Sequence, residues 1–394
     1  MPASPIPQQL DDLTPAWLTR ALGPRLLGDA RVARVTCEPL GEGEGFVGQL
    51  ARLRLSLDGA APRAPTRVIA KLPTAIRSNR ATGELLGAYE REILFYRELA
   101  PEVGYRTPRL YHAEMDESSA SKHGPAIVRF VDRLPVWLIR LLMACFHWMA
   151  RHSPRRYLLL LEDLAPAELG DQVAGRPAFA CAPVVRAMAR AQAVFWGGGR
   201  LDDRWWVARL DLGLRVAHQM FRGSRAAFER RFAARLGAEG VALLDWLDAN
   251  APALLLTLHA QAPRTLVHGD FRLDNLFFDG ADDPLVVDWQ GVANGPGVHD
   301  LAYFLSGTLP PGTRAGEEED LVRAYHEALV AAGVADYAFD ACLRDYRRCT
   351  LLGLHRLVTI DWVDLGAARG AALLELWVER LMARLRGIDV EALR

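Results

Sequence analysis

The stretch from Leu266 to Trp289, LVHGDFRLDNLFFDGADDPLVVDW, constrains this chain more than any other. Two apolar residues give way to His268, Gly269 and Asp270, an Asp–Asn pair follows, and the chain turns apolar again at Leu276, Phe277 and Phe278. The residues DGADD read as a turn and PLVVDW as a returning strand, with Pro284 at its start, where a missing N–H is tolerated. Opposed residues in an antiparallel hairpin have a constant sum of positions, and centring the turn Asp279–Asp283 with its two flanking strands between residues 281 and 282 sets Asn275 opposite Asp288. An amide oxygen and a carboxylate then meet at the open end of the hairpin. Two such hard oxygen ligands suit Mg²⁺, which keeps several waters and completes its shell with phosphate oxygens. Asp270 lies on the loop entering the same end, placed to accept a proton from an incoming hydroxyl. The D-x-x-x-x-N spacing puts a base and a metal ligand on one loop.

Upstream, a short helix is expected around Pro15–Leu22, closed by Gly23 and Pro24. Strand character follows at Arg31–Glu38, at Gly48–Leu57, where Leu53, Leu55 and Leu57 alternate with Arg and Ser, and at Arg67–Leu72. A helix is expected over Thr82–Leu99 with Leu85, Leu86, Tyr89, Ile93 and Tyr96 on one stripe. Further strands are expected at Arg109–Glu114, Ala126–Val131 and Tyr157–Leu161, and from Pro183 onward the chain reads as mainly helical. The fold class is therefore α+β, with a β-rich front lobe and a helical back lobe. The expected divisions are an N-terminal extension over 1–29, a front lobe over 30–161 and a back lobe over 162–394.

The segment GEGEGFVG holds G-x-G-x-x-G as Gly43, Gly45 and Gly48. A dinucleotide-binding loop should open into a helix. Here QLARLRLSL alternates as a strand, so the glycines sit in a hairpin whose backbone can fold close over phosphates. One strand later VIAK ends in Lys71, and the helix after it carries Glu90 and Glu92. In the kinase arrangement such a lysine holds nucleotide phosphates and is oriented by a glutamate of that helix. Glu92 is the favoured partner, with Glu90 as the alternative.

With these three groups in order, the chain resembles the aminoglycoside phosphotransferase and choline kinase-like superfamily, whose fold is protein-kinase-like and bilobal. HGDFRLDN resembles its catalytic loop, VVDWQ its metal-binding segment, GPGVHDLAYFL (295–305) the segment that follows, and LLLEDL (159–164) the hinge beside the adenine. The glycine-rich loop, YEREILFYREL and the DWQ form look closest to the ecdysteroid kinase-like branch and its bacterial relatives. HGDFRLDN is also similar to kinase-like domains associated with acyl-CoA dehydrogenases. The resemblance implies ATP and Mg²⁺ as cofactors and Asp270 as base. It implies Asn275 and Asp288 as metal ligands, Lys71 and Glu92 at the phosphates, and Leu161, Glu162 and Asp163 at the adenine. It further implies that Asp300 braces the catalytic loop. Gln192 departs from the superfamily's frequent His at that position, which bears on a packing contact and not on the chemistry.

Between two front-lobe strands stands an insertion, LPVWLIRLLMACFHWMA (134–150), whose 17 residues include Arg140 and His147. It is short and charged for a transmembrane span. It reads as a packed helix, as an amphipathic helix on a membrane surface, or as an apolar lid or dimer contact near the substrate mouth. The segment following Asp288 is short and no A-P-E triplet follows, so the acceptor is expected to be a small molecule with a hydroxyl. The net charge of −1 gives no general attraction to nucleic acid. Trp196, Trp205, Trp206, Trp362 and Trp377 are expected near the acceptor, together with Arg344, Arg347, Arg348, His355 and Arg356. This mixture favours a lipophilic alcohol, steroid-like or hydroxyacyl, over a polycationic antibiotic. An antibiotic phosphotransferase and a non-catalytic nucleotide-binding module are the alternatives. Five widely spaced cysteines and an N-terminus without an apolar run set the expectation of a cytoplasmic protein, peripheral to membrane if the insertion docks there.

Overall fold

The computed structural model describes residues 6–40, 48–116, 123–152, 154–280, 283–360 and 368–394. Its front part is a five-stranded antiparallel sheet of β1 (Arg31–Leu40), β2 (Gly48–Asp58), β3 (Arg67–Pro73), β4 (Leu110–Met115) and β5 (Tyr157–Glu162), in the order β1-β2-β3-β5-β4. Strand β5 is buried on both faces, which is why it reads YLLLL without alternation. Leu158 and Leu160 face one core, with Leu53, Leu55, Val68 and Ala70. Tyr157, Leu159 and Leu161 face the other, which continues into the helical body.

Helix α1 (Pro15–Leu27) covers the first face with Trp17, Leu18, Leu22 and Leu26, so the expected extension is part of the front lobe's core. Thr14 caps it by accepting from the Trp17 N–H. Gly23 kinks the helix instead of ending it, and Pro24 opens the next turn.

The expected helix over 82–99 is divided. α2 (Arg77–Leu85) ends before Gly87, whose φ of 66° no helix accommodates, and α3 (Ala88–Leu94) starts afresh and runs into a π-helical turn, Phe95–Leu99. The expected strand at Ala126–Val131 is instead helix α4 (Gly124–Val131), followed by α5 (Val136–His152). A short apolar run such as AIVRFV does not distinguish strand from helix, and Pro125 at the first turn favours the helix.

The back part contains two small sheets. β6 (Glu168–Leu169) pairs with β9 (Leu276–Phe278), which pairs with β10 (Leu285–Val286). β7 (Ala208–Arg209) and β8 (Arg264–Val267) flank β11 (Ala293–Pro296). Around them pack α6 (Ala178–Ala193), α7 (Leu214–Gln261), α8 (Val298–Thr308), α9 (Ala315–Ala331), α10 (Phe339–Ile360) and α11 (Ala368–Leu385). Among the described residues only α7 is long and apolar enough to cross a membrane. It breaks at Phe232 and Gly237, and its Phe221, Phe228, Leu244 and Leu247 lie in the core.

Candidate active site

The loop between β8 and β9 is held by its main chain before any chemistry is considered. Both oxygens of the fully buried Asp300, on α8, accept from it: the His268 N–H at 2.6 Å and the Gly269 N–H at 3.0 Å. Burial works against this charge, yet His299, His268 and the main-chain donor hold the carboxyl below its ordinary range. His299 Nδ1 stands 3.6 Å away, so the two N–H groups make the shorter contacts. The imidazole of His268 spans two segments, with Nε2 2.9 Å from the Val287 carbonyl and Nδ1 3.2 Å from the Asp270 N–H. A carbonyl can only accept and an amide N–H can only donate, so the partners assign the proton to Nε2.

Gly269 allows this loop to touch the segment after β10. Its φ is 81°, and a Cβ there would stand 2.2 Å from the Gly291 carbonyl oxygen. Arg356 of α10 donates to the Gly269 carbonyl, reaches His299 Nε2 at 3.1 Å, and lies 4.2 Å over the Tyr303 ring.

The Asp270 carboxylate is enclosed by donors. Tyr303 O–H donates to Oδ1 at 2.7 Å, Arg272 Nε to Oδ2 at 3.2 Å, and Asn275 Nδ2 to Oδ2 at 3.1 Å. Asn275 Nδ2 also donates to the Asp270 carbonyl at 2.8 Å. Burial and the neighbouring Asp270 push the Tyr303 phenol well up, so it remains a donor. With its Nδ2 turned to Asp270, Asn275 directs its amide oxygen the other way.

The hairpin register differs by one residue from the arithmetic expectation. Phe277 faces Leu285 and Leu276 faces Val286, and the Val287 N–H donates to the Asn275 carbonyl at 3.0 Å. Asn275 therefore opposes Val287, and Asp288 follows. In a regular strand one step would send the side chain to the other face. Asp288 instead takes φ 64° and ψ 61°, a left-handed turn that short polar side chains tolerate. Its carboxylate meets Lys71 Nζ at 2.7 Å.

Lys71 also donates to Glu92 at 2.8 Å, so one ammonium lies between two carboxylates. Burial alone would lower the lysine, but Asp288 and Glu92 outweigh it and raise it. Burial raises the Glu92 carboxyl, whereas Lys71 wins at Asp288 and holds that carboxyl below its ordinary range. The more exposed acid thus carries the firmer charge. Glu90 takes no part; it faces Arg155 at 3.8 Å. Gly48 opens β2 beside this cluster, where a Cβ would approach Lys71 Cε to 3.4 Å and the Leu72 carbonyl oxygen to 3.3 Å. Gly43 and Gly45 lie outside the described residues.

At the end of β5, Leu161 is paired with Ile69 on one side and Leu110 on the other. The Glu162 N–H donates to the Arg109 carbonyl at 2.9 Å. The Asp163 side chain accepts from Arg52 at 2.9 Å and from the Ala165 N–H at 3.2 Å. A nucleotide edge at this hinge cannot use the Glu162 N–H, which narrows the expectation to other main-chain groups of the segment. Trp289 is fully buried, stacked on Phe95 with centroids 3.9 Å apart, and so ties the segment after Asp288 to the π-helical turn of the front lobe.

A cavity of about 270 Å³ opens beside Asp270, walled by α7, α8, α10 and α11. Tyr303 lines it while bonding Asp270, so the carboxylate lies one side chain behind the cavity wall. Leu212, Leu255, Leu352 and Trp377 make its wall apolar, and none of its lining residues is Asp or Glu. Three histidines line it, and burial lowers two of them, His259 and His355, to about 4 and about 3. Of the residues expected near an acceptor, His355, Arg356 and Trp377 line this cavity. Trp196, Trp205, Trp206, Arg344, Arg347 and Arg348 do not, and Trp362 lies outside the described residues. Trp206 Nε1 is tied to Glu98, and Arg348 is buried against Asp345 and the Leu393 carbonyl. Aromatic and basic helix residues serve packing as readily as pockets, which is why composition misplaced them.

Tyr303 and Arg272 were not anticipated. Tyr303 stands three residues after Asp300 on α8, a spacing that puts both on one helix face, so this was a legible signal. Gln192 joins elements instead of weakening them: it donates to the Gly297 carbonyl at 3.2 Å, and Tyr325 and Thr265 donate to it. Among the described residues no group of three or more His, Cys, Asp or Glu is placed to hold a metal. Two protein oxygens with the remainder from phosphates and water is a Mg²⁺ arrangement, and the charged Asp288 carboxylate beside the Asn275 segment fits it.

Residues 59–340 match the family model described as the phosphotransferase enzyme family. Among solved structures, a choline kinase from Cryptosporidium parvum Iowa II superposes with a TM-score of 0.53 at 10% identity, covering 91% of this chain and 91% of that one. The GDP complex of a mutant aminoglycoside 2'-phosphotransferase-IIIa superposes with a TM-score of 0.51 at 13% identity, covering 95% of this chain and 99% of that one. At such identities the likeness is one of fold. A probable acyl-CoA dehydrogenase of Arabidopsis thaliana is 43% identical over 63 residues, which are 16% of this chain and only 7% of that protein's length.

Proposed function

This chain belongs to the phosphotransferase enzyme family, and we propose that it transfers the γ-phosphoryl group of ATP to a hydroxyl of a small, lipophilic molecule. The observation that carries this reading is the Tyr303–Asp270 hydrogen bond of 2.7 Å at the edge of an apolar cavity. It joins a carboxylate able to take a proton to a space able to hold an alcohol.

In this reading Asn275 and Asp288 hold Mg²⁺, which when bound neutralises phosphate oxygens and aligns them for in-line displacement. Lys71, oriented by Glu92, turns its ammonium to the phosphates, and Gly48 lets the start of β2 lie close to the lysine stem. Asp270 accepts the proton of the acceptor hydroxyl as its oxygen attacks phosphorus. Tyr303 and Arg272 fix the carboxylate by donating to different oxygens, leaving the proton transfer one aligned partner. Residues 30–161 form the nucleotide side and 162–394 the acceptor side, with main chain near Leu161–Asp163 at the adenine.

The acceptor class rests on the cavity's chemistry. A polycationic antibiotic needs carboxylates to replace its hydration, and none lines this wall. Neutral histidines and leucines suit a steroid-like or hydroxyacyl alcohol. Five free thiols, three of them buried, support placement in a reducing compartment such as the cytoplasm.

The test is a thermal-shift series with Mg–ATP and Mg–GTP, followed by phosphate transfer measured over lipophilic alcohols and aminoglycosides, with Asp270→Asn alongside. Asp270→Asn is expected to lower kcat by about 10²–10⁴-fold while nucleotide binding stays within about twofold. Undiminished turnover in that variant removes Asp270 as base. Turnover of aminoglycosides alone removes the acceptor class, a nucleotide shift without turnover of any acceptor favours a non-catalytic nucleotide-binding module, and absence of any nucleotide shift defeats the reading.

A further inference from the structure

The helices α4 and α5 stand between β4 and β5, which are adjacent antiparallel strands that a short turn could join. One face of α5 is used: Ile139 is buried and the helix packs on α2. The opposite face is apolar as well. Trp137, Leu141, Ala144, Cys145 and Trp148 recur at helical spacing and all are exposed, Trp137 by 67% and Trp148 by 61%. Phe130 of α4 is exposed as well, by 63%. A stable soluble protein rarely leaves such a continuous strip of large side chains in water.

We propose that this helical segment docks on the surface of an anionic lipid bilayer. Charge selects that occupant. Between Gly124 and His152 the chain carries Arg129, Arg133, Arg140 and Arg151, and its one acid is Asp132. Asp132 is turned inward, accepting from the Arg215 N–H at 3.1 Å and the Val216 N–H at 3.2 Å. Arg129, Arg133 and Arg151 are exposed around the apolar strip. A tryptophan- and leucine-bearing face bordered by arginines is the pattern of a helix lying in a headgroup region. A second copy of the chain fits less well, because a two-fold interface brings the same arginines of both copies together. The segment also touches the acceptor side. Val128 packs at Gly213, and Asp132 caps the start of α7, whose neighbouring Leu212, Leu214 and Ala217 wall the cavity. Docking would thus set the cavity wall beside the lipid from which a lipophilic acceptor comes, a consequence that rests on the phosphotransfer reading; the docking itself does not.

The experiment is flotation of the full chain with vesicles of phosphatidylcholine alone or mixed with phosphatidylserine, at low and high salt. Binding is expected with the anionic vesicles, weakening with salt. Trp137→Ser with Trp148→Ser should abolish it. Arg129→Gln, Arg133→Gln and Arg151→Gln together should weaken it by about 10–100-fold. These positions are exposed, and the Mg–ATP thermal shift of each variant should match the parent chain. No flotation with anionic vesicles at low salt overturns the proposal, as does flotation that survives the double tryptophan variant. Sedimentation velocity showing a dimer that the double variant dissolves overturns it in favour of a second copy. Vesicle binding without any nucleotide shift leaves docking in place and defeats the phosphotransfer reading instead.

Discussion

Gly269 shows how little freedom single residues have in this site. A side chain there would strike the Gly291 carbonyl oxygen at 2.2 Å, and the backbone stands at φ 81°. Gly269→Ala is expected to lower stability by about 2–4 kcal/mol, since both strain and overlap oppose it, and urea unfolding measures this directly. A change below about 0.5 kcal/mol would mean the two loops are not in contact. Asp288 presents the complementary case, being the one non-glycine residue with positive φ among those described. Such outliers persist where surrounding structure fixes them, often at functional sites. Asp288→Asn keeps a residue tolerant of that conformation but removes the charge. We expect a near-parental melting temperature and a Mg²⁺ requirement raised at least about tenfold, read from Mg²⁺ titration of activity. Both residues were legible as a motif. The register was missed by one residue because the expectation centred the hairpin half a residue late, whereas the observed pairs Phe277–Leu285 and Leu276–Val286 are symmetric about the turn 279–283.

Among the elements, α3 decides which acid serves the lysine. Glu90 and Glu92 are two apart and face different ways; Glu92 reaches Lys71 at 2.8 Å while Glu90 lies near Arg155. Glu92→Gln is expected to raise KM for ATP by about tenfold or more, and Glu90→Gln to leave it within twofold, by steady-state kinetics. Equal effects would show that the helix sets Lys71 by position and not by this ion pair. The sequence favoured Glu92 but placed neither acid inside the apolar stripe, whereas Glu92 is buried. Gly87 explains the difference: by restarting the helix it rotates α3 relative to α2, so a stripe counted through both does not hold. The same ambiguity of short apolar segments turned an expected strand into α4.

Across the whole molecule, burial sets the protonation of the cavity. His259 and His355 are neutral in the fold until the pH approaches about 4 and about 3, while the unfolded chain takes up these protons near pH 6.5. Their neutrality therefore costs nothing above about pH 6.5. Between there and about pH 4 the unfolded state binds more protons, and stability falls as pH falls. The expected loss by pH 4.5 is on the order of a few kcal/mol, and His355→Gln should flatten part of the slope in a series of melting temperatures. A slope unchanged by that variant would place the titration elsewhere. The cavity itself can be filled: Leu255→Trp is expected to raise KM for a lipophilic acceptor several-fold with little change in KM for ATP, because Leu255 lines the acceptor space and not the Lys71 cluster. By itself the sequence determined the order of the three motifs, the two-lobed α+β class and the residue types at the site, since local spacing and strand alternation are properties of neighbours along the chain. Only the tertiary structure decided that Asp288 turns through a left-handed conformation onto Lys71, that Tyr303 and Arg356 converge on the loop of Asp270, and which helical residues wall the cavity. Those contacts join segments tens to hundreds of residues apart, and their partners are selected by close packing, which no periodicity along one segment records.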